Sequence, residues 1–297
     1  MTHSSIWPLT ILLTLAGPCL SASSQEKLSE SLTFYASFDS GADADFAVGD
    51  DRLRTLVSTK PDPQTKSGLH TEDQTSVTKD EGLGDSGALK FTKRNAKWIF
   101  YSAEKNVSYT GKNWSGTVSV WLRLDPADLD PGYNDPIQLT TRTWNDGAFF
   151  VDFDKEGSPR DFRLGAFPDL TAWNPDKADV PEDKRPLLKV KKPPFTKDEW
   201  THVVFTWEKF NSGDDNGTAT FYLNGENNGT ITGWNQTFTW KPDEEKRLYL
   251  GLNYQGLLDD LSCFSRALTG NEVADLYKMK KGLHQLIPKD KSRPKAK

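Results

Sequence analysis

The stretch Gly256-Leu257-Leu258-Asp259-Asp260-Leu261-Ser262-Cys263-Phe264-Ser265-Arg266-Ala267-Leu268-Thr269 (GLLDDLSCFSRALT) reads as a β-strand, yet it carries two adjacent carboxylates in an apolar run. Strand side chains alternate between faces. Asp259 is therefore expected on one face with Leu257, Leu261 and Cys263, and Asp260 on the other with Leu258, Ser262 and Phe264. One acid is thereby aimed at an apolar layer. A carboxylate taken out of water is costly unless something satisfies it, so this position requires a metal ion, backbone amides or a substrate.

Downstream, Thr269-Gly270-Asn271-Glu272 forms a capping box, with Leu268 and Val273 as its hydrophobic staple. Leu276 and Tyr277 continue the apolar stripe and Lys280-Lys281-Gly282 closes it, which predicts one short C-terminal helix packed on the end of the β-structure. Upstream, short alternating segments predict strands at Leu32–Phe38, Ala88–Phe91, Trp98–Tyr101, Thr117–Leu124, Pro136–Thr140 and Ala148–Phe153. Further strands are expected at Phe162–Ala166, Thr201–Trp207, Thr218–Leu223, Arg247–Leu252 and Leu257–Phe264, with Asn224-Gly225 as a hairpin turn. Many short strands joined by Gly, Asn and Pro turns predict an all-β, two-sheet antiparallel sandwich. Ser40 to Asp85 reads as a long polar loop, and Trp173 to Pro194, with five prolines, as a surface excursion.

The chain has 297 residues, a formal charge of −5, and 27% charged and 35% hydrophobic residues, an ordinary composition for one large core and not for disorder. Ile6 to Leu20 is an apolar run followed by small residues at 21–24, which predicts a signal peptide over 1–22 and a secreted, extracellular or periplasmic protein. No other run is long enough to cross a membrane. Pro18 disfavours Cys19 as a lipid anchor, and loss of the signal leaves Cys263 alone, so stability must come from the core and not from an internal disulfide. From Lys278 onward eight Lys/Arg stand against Asp290, and residues 284–297 are expected to be a solvated basic tail. The five Asn-x-Ser/Thr sequons would be glycan sites in a eukaryotic secretory route, but are expected to be triplets that Gly/Asn-rich turns generate by chance.

Several of these segments together resemble the laminin-G-like, or concanavalin A-like, jelly-roll superfamily. The resemblance rests on Ser86-Gly87-Ala88-Leu89-Lys90-Phe91, Val118-Ser119-Val120-Trp121-Leu122-Arg123, Trp200-Thr201-His202-Val203-Val204-Phe205, Tyr222-Leu223-Asn224-Gly225 and the closing stretch through Tyr277. In order and spacing they span about 30–283, the extent expected for the domain. The resemblance implies two antiparallel sheets, one concave, with the first and last strands as neighbours. It also implies that Asp259, joined by Asp39 after the first strand, either holds a structural calcium ion or ties down a loop through its amides.

The superfamily includes glycosidases with alternating acids on one strand, and Asp152-Phe153-Asp154-Lys155-Glu156 resembles that pattern. Retaining hydrolysis needs two carboxyl groups about 5.5 Å apart, whereas i and i+4 backbones on a strand lie roughly 13 Å apart. Asp152 is also a methylene short of the glutamate found there, so Asp152, Asp154 and Glu156 read better as an acidic strand end than as a catalytic set. The four histidines lack metal-ligand spacing; no P-loop, dinucleotide fingerprint or nucleophile elbow occurs, and no nucleic-acid partner is expected. His202 and Cys263 read as structural.

Binding chemistry fits better. Sugar recognition pairs aromatic platforms with planar amides, carboxylates and guanidinium groups, and Tyr133, Asp135, Trp144, Asn145, Asp146, Asp152, Asp154, Arg160 and Arg163 bring those types close together. Trp173, Trp234 and Trp240 are further candidate platforms, while Trp121 and Trp207 on strands read as packing. The leading expectation is a secreted, non-catalytic module that binds a polysaccharide or an extracellular protein, with calcium as a structural ion. The alternatives are a glycan-active hydrolase and a structural or adhesive envelope protein.

Overall fold

Strand is the dominant regular structure of the described residues, as the short alternating segments require. The computed structural model describes residues 22–58, 63–94 and 97–289, so the expected signal peptide, but for its last position, and the end of the basic tail lie outside the described residues. The strands begin with β1 (Leu32–Ala36), β2 (Phe46–Ala47), β3 (Arg54–Ser58), β4 (Gln64–Ser67), β5 (Thr75–Thr78) and β6 (Ala88–Phe91). They continue with β7 (Trp98–Ser102), β8 (Trp114–Arg123), β9 (Asn134–Thr140), β10 (Ala148–Gly157), β11 (Arg160–Phe167) and β12 (Leu187–Val190). The last are β13 (Thr201–Phe210), β14 (Gly217–Leu223), β15 (Glu226–Trp234), β16 (Arg247–Leu252) and β17 (Gly256–Phe264). The helices are α1 (Ala22–Ser31), the single turn α2 (Leu170–Trp173) and α3 (Gly270–Lys278).

Two antiparallel sheets form the sandwich. One holds nine strands in the order β15-β14-β13-β8-β17-β1-β2, with β6 also on β17 and β5 on β6; the other holds eight in the order β12-β11-β10-β9-β16-β7-β3-β4. Between them lies an apolar layer that includes Phe34, Trp114, Val118, Phe149, Phe205, Trp207, Leu250 and Cys263. Every strand expected from alternation forms. The first and last strands pair, with Tyr35 opposite Ser262, and the 224–225 turn has both residues at positive φ, as a two-residue hairpin of this type needs.

The two stretches read as loops carry strands, which corrects that reading. β2 to β5 lie within 40–85, and β12 lies within 173–194. The signal was weak because β2, β4, β5 and β12 are edge strands, paired on one side only, and Gln64–Ser67 contains no apolar residue. α1 was also missed; its Leu28 is buried.

Strict alternation fails at Asp259 and Asp260. Leu258, Leu261 and Cys263 all enter the core, so Leu258 and not Leu257 shares their face. The pairing with β8 slips between Asp259 and Ser262, and Asp260 has φ +47°, the mark of an inserted bulge residue. The bulge sits where β17 changes partner: Gly256–Leu258 pair with β6, and Leu261–Phe264 with β1. Backbone groups left unpaired in that gap must find acceptors. Asp259 supplies two, with Oδ2 accepting from Leu83 N at 2.7 Å and Oδ1 from Asp260 N at 2.7 Å. Asp260 is buried as well, and its Oδ1 accepts from the Tyr35 hydroxyl. Burial pushes both carboxyls above the ordinary carboxylate range, and for Asp259 the charge of its neighbour adds to the shift.

α3 has the expected capping box: Thr269 Oγ1 accepts from Glu272 N at 3.3 Å, and Glu272 Oε2 accepts from Thr269 N at 2.9 Å. It does not pack on the end of the sandwich, as expected, but over the outer face of the nine-stranded sheet. There Val273 and Leu276 join Val204, Tyr222, Phe264, Leu28 and Leu286 in a second apolar cluster, because that face is itself apolar. His284–Leu286, at the start of the expected tail, form a 3-10 turn with Leu286 buried. Replacing Thr269 by alanine is expected to cost about 1 kcal/mol, measured as a lower urea midpoint with unchanged m-value.

Candidate functional site

The outer face of the eight-stranded sheet carries a groove. Alternation sends Phe149, Val151 and Phe153 of β10 and Phe162, Leu164 and Ala166 of β11 into the core. The intervening side chains, Phe150, Asp152, Arg163 and Phe167, face outward with Gln138 of β9, Tyr249 of β16 and Trp98 of β7. Phe150 lies flat on its cross-strand partner Gly165, where an added Cβ would come within 2.3 Å of the ring. Glycine at 165 thus leaves the room that the Phe150 ring occupies on the groove floor. Arg94, Tyr133, Asp135, Arg142, Thr143, Trp144, Arg185, Leu187, Leu252 and Asn253 complete a lining around about 650 Å³.

Three aromatic rings in this groove are unusually bare: Trp98 and Tyr133 are each 43% exposed and Trp144 is 45% exposed. Val48 is the only other large hydrophobic residue so exposed among the described residues. Trp98 stands edge-on to Tyr249 at 5.8 Å, and Trp144 edge-on to Phe167 at 5.4 Å, so both are braced by neighbours. The Arg163 guanidinium lies 4.6 Å from the centre of the Tyr133 ring.

Beneath the rings runs a charge network. Arg163 donates from Nε to Asp152 Oδ1 at 2.8 Å and from Nη2 to Asp152 Oδ2, a two-pronged pair, and from Nη1 to Glu182 at 2.6 Å. Lys189 Nζ donates to Asp154 at 2.9 Å and to Glu182 at 2.5 Å. Burial raises Asp152 above the usual carboxylate range although Arg163 pulls the other way. Burial pushes Asp154 up, but the Lys189 bond, the Arg163 charge and the Lys155 amide together outweigh it and hold Asp154 below that range. Asp135 is raised well above it, first by burial and then by the Asp152 charge.

The structure brings Tyr133, Asp135, Trp144, Asp152 and Arg163 to the groove and leaves the other sequence candidates off its lining. Arg160 donates to the carbonyls of Gly132, Leu129 and Asp130, so it fastens the loop that carries Tyr133. Asp146 accepts from Arg142 Nη1 at 2.9 Å and from Leu170 N at 2.8 Å, and Asn145 accepts from the Thr143 hydroxyl. Asp154 belongs to the network beside the groove. Glu156 lies past the register shift that follows Phe153, points to solvent and approaches Lys155 at 3.6 Å. The expected common face of Asp152, Asp154 and Glu156 is therefore broken, and the first two are engaged by cations.

The other expected platforms are packing residues. Trp240 is buried and donates from Nε1 to the Gly147 carbonyl, Trp173 donates to the Asn145 carbonyl, and Trp234 packs on the core. Trp121 and Trp207 are buried, as expected. Sequence reasoning missed Arg94, Trp98, Gln138, Arg142, Phe150, Phe167, Arg185, Tyr249 and Asn253. Alternation from the core residue Ile99 could have turned Trp98 outward; no local signal marked Arg94 or Arg185. Asp259 and Asp39 belong to the other sheet's seam, where Asp39 Oδ1 accepts from Gly87 N at 3.0 Å.

The sequence profile of a family described as the concanavalin A-like lectin/glucanases superfamily matches residues 100–274. No curated protein matches the sequence. Among solved structures, domain 4 of the extracellular arabinanase AbnA from Geobacillus stearothermophilus, in complex with arabinotriose, is similar at 17% identity and TM-score 0.51, covering 83% of this chain and 98% of that one. The binding domain of botulinum neurotoxin DC is similar at 10% identity in two complexes. With SialylT the TM-score is 0.54, over 85% of this chain and 52% of that one. With rat synaptotagmin II it is 0.52, over 85% and 52%. The chain spans about half the length of these toxin domains. At such identities the likeness is one of fold.

Proposed function

The chain belongs to the concanavalin A-like lectin/glucanase superfamily, and on that premise we propose that its groove binds carbohydrate without cleaving it. The observation that carries this reading is the gathering of Trp98, Tyr133 and Trp144, three exposed rings, around planar polar groups in one groove. A sugar ring presents an apolar C–H face to such platforms and a rim of hydroxyls to Gln138, Asn253 and Asp135. The solved arabinanase domain with arabinotriose and the toxin domain with SialylT support the reading by fold alone. The apolar run at 6–20 supports export, and no helix among the described residues is long and apolar enough to cross a membrane.

The test is affinity electrophoresis and calorimetry against a panel of soluble polysaccharides. Trp98→Ala and Trp144→Ala are each expected to weaken binding about tenfold, near 1.4 kcal/mol, with unchanged melting temperature. Silence across the panel together with capture of a single protein partner would replace this reading by the adhesive one. Sustained release of reducing ends, abolished by Asp154→Asn, would replace it by hydrolysis.

The family resemblance implies that Asp259 holds a structural calcium ion with Asp39 or ties down a loop through its amides, and we propose that a calcium at this seam would use oxygens other than those of Asp259. Asp259 already accepts two amides, whereas Asp260 Oδ2 is buried without a partner, and Asp39 Oδ2 and Asp45 Oδ1 each lie 3.9 Å from His284 Nε2. No group of three or more His, Cys, Asp or Glu side chains suited to a metal occurs among the described residues, so a calcium here would draw most ligands from carbonyls and water. Binding to the native state must stabilise it by mass action. Melting is expected at a higher temperature in millimolar calcium than in excess EGTA; equal temperatures would remove calcium from the account.

A further inference from the structure

The two outermost cations of the groove have no close, sheltered acid to answer them among the described residues. Arg94, ahead of β7, is exposed and gives its Nε to Asn253 Oδ1, with no carboxylate partner among the described residues. Arg185, ahead of β12, gives its Nε to the Val180 carbonyl and comes within 3.7 Å only of Asp179, which is fully exposed and so offers little. The inner arginines differ. Arg142 is matched by Asp146 and Asp169, and Arg163 by Asp152 and Glu182. Asp135, the remaining acid of the lining, is biased toward its uncharged form by burial and by Asp152. The weakly matched positive charge of the groove thus sits at its two ends, in a chain whose formal charge is −5.

These two outer arginines are also far apart. Four strands separate β12 from β7 in the sheet, which at about 4.8 Å per strand spacing sets the strands that Arg185 and Arg94 precede roughly 24 Å apart. No single sugar ring spans that length. Resting on the carbohydrate reading of the groove, we propose that its ligand is an acidic oligosaccharide that reaches from Arg94 to Arg185. Its rings stack on Trp98, Tyr133 and Trp144, and its carboxylate or sulphate groups pair with the two outer guanidinium forks, whose planar donors suit either anion.

Calorimetry of the full chain distinguishes the possibilities. The probes are a galacturonate hexamer and dimer for carboxylate, a heparin-derived hexasaccharide for sulphate, and cellohexaose as the neutral chain. One or both acidic hexamers are expected to bind about tenfold or more tighter than cellohexaose, and the galacturonate dimer to bind weakly. Raising NaCl from about 50 to about 300 mM should weaken the acidic complex markedly. The double substitution R94Q/R185Q is expected to lower affinity for the acidic hexamer about tenfold or more and to flatten its salt dependence, with melting unchanged because both side chains reach solvent. Which acidic arm binds identifies the anion. Equal or tighter binding of cellohexaose, or no effect of R94Q/R185Q, would overturn this proposal and leave the carbohydrate reading standing. Failure of all four probes, with the polysaccharide panel also silent, would bring down both.

Discussion

Replacing Arg163 by methionine is expected to lower stability by about 3–5 kcal/mol, because it leaves the buried Asp152 carboxylate without its cation. Three interactions go at once: the two-pronged bond to Asp152, the bond to Glu182 and the contact with the Tyr133 ring. Urea unfolding at neutral pH measures the loss. Asp152 can escape the penalty by taking a proton, so the deficit relative to the parent should shrink as the pH falls toward about 6, where the parent's own Asp152 takes one. The double variant D152N/R163M should recover part of the loss, since it removes the stranded charge together with the missing partner. A loss under about 1 kcal/mol for Arg163→Met would mean that water already reaches the pair and that it does not organise the groove floor.

The second large effect is acid sensitivity through His202. Its ring lies stacked 4.7 Å from Trp121, with Ser119 Oγ at 2.8 Å from Nε2, and Nδ1 is buried without a partner. Tyr277 covers it at 6.1 Å, and the Lys280 ammonium over Tyr277 adds nothing to favour a second cation. Burial depresses its pKa to about 3. The unfolded chain takes up a proton near pH 6.5, so stability contributed by the neutral ring is present above that pH and is lost as the pH falls toward about 3. Between neutral pH and pH 4.5 the loss from this group is roughly 2–3 kcal/mol. Carboxylates titrate over the same range, so the measurement is a difference. The parent should lose that much more than His202→Gln between pH 7.5 and pH 4.5, and equal losses would show that the ring is hydrated.

Periodicity made much of the fold legible. The buried central strands alternate cleanly, and the 224–225 turn and the 269–272 cap are local chemistry that needs no tertiary context. Alternation could not foresee an inserted residue, so the faces of Leu257 and Leu258 were exchanged, although two adjacent acids in an apolar strand marked the place. Edge strands such as Gln64–Ser67 were hidden because half of their backbone and most of their side chains meet water. The site was legible only in part. Tyr133 and Trp144 flank β9 and so advertised themselves together, whereas Trp98, Arg94 and Arg185 reach the groove through β7 and β12, whose places in the sheet are set by partners far away in sequence.

The position of β17 also bears on how the molecule is made. It is the last strand of the described residues but lies in the interior of its sheet, with β8 along one flank and β6 and β1 sharing the other. During synthesis from the amino end, these three wait with bare pairing edges until residues 256–264 have left the ribosome. The nine-stranded sheet therefore closes in a single late event that depends on distant loop closures, which makes folding slow and the nascent chain prone to sticking to its neighbours.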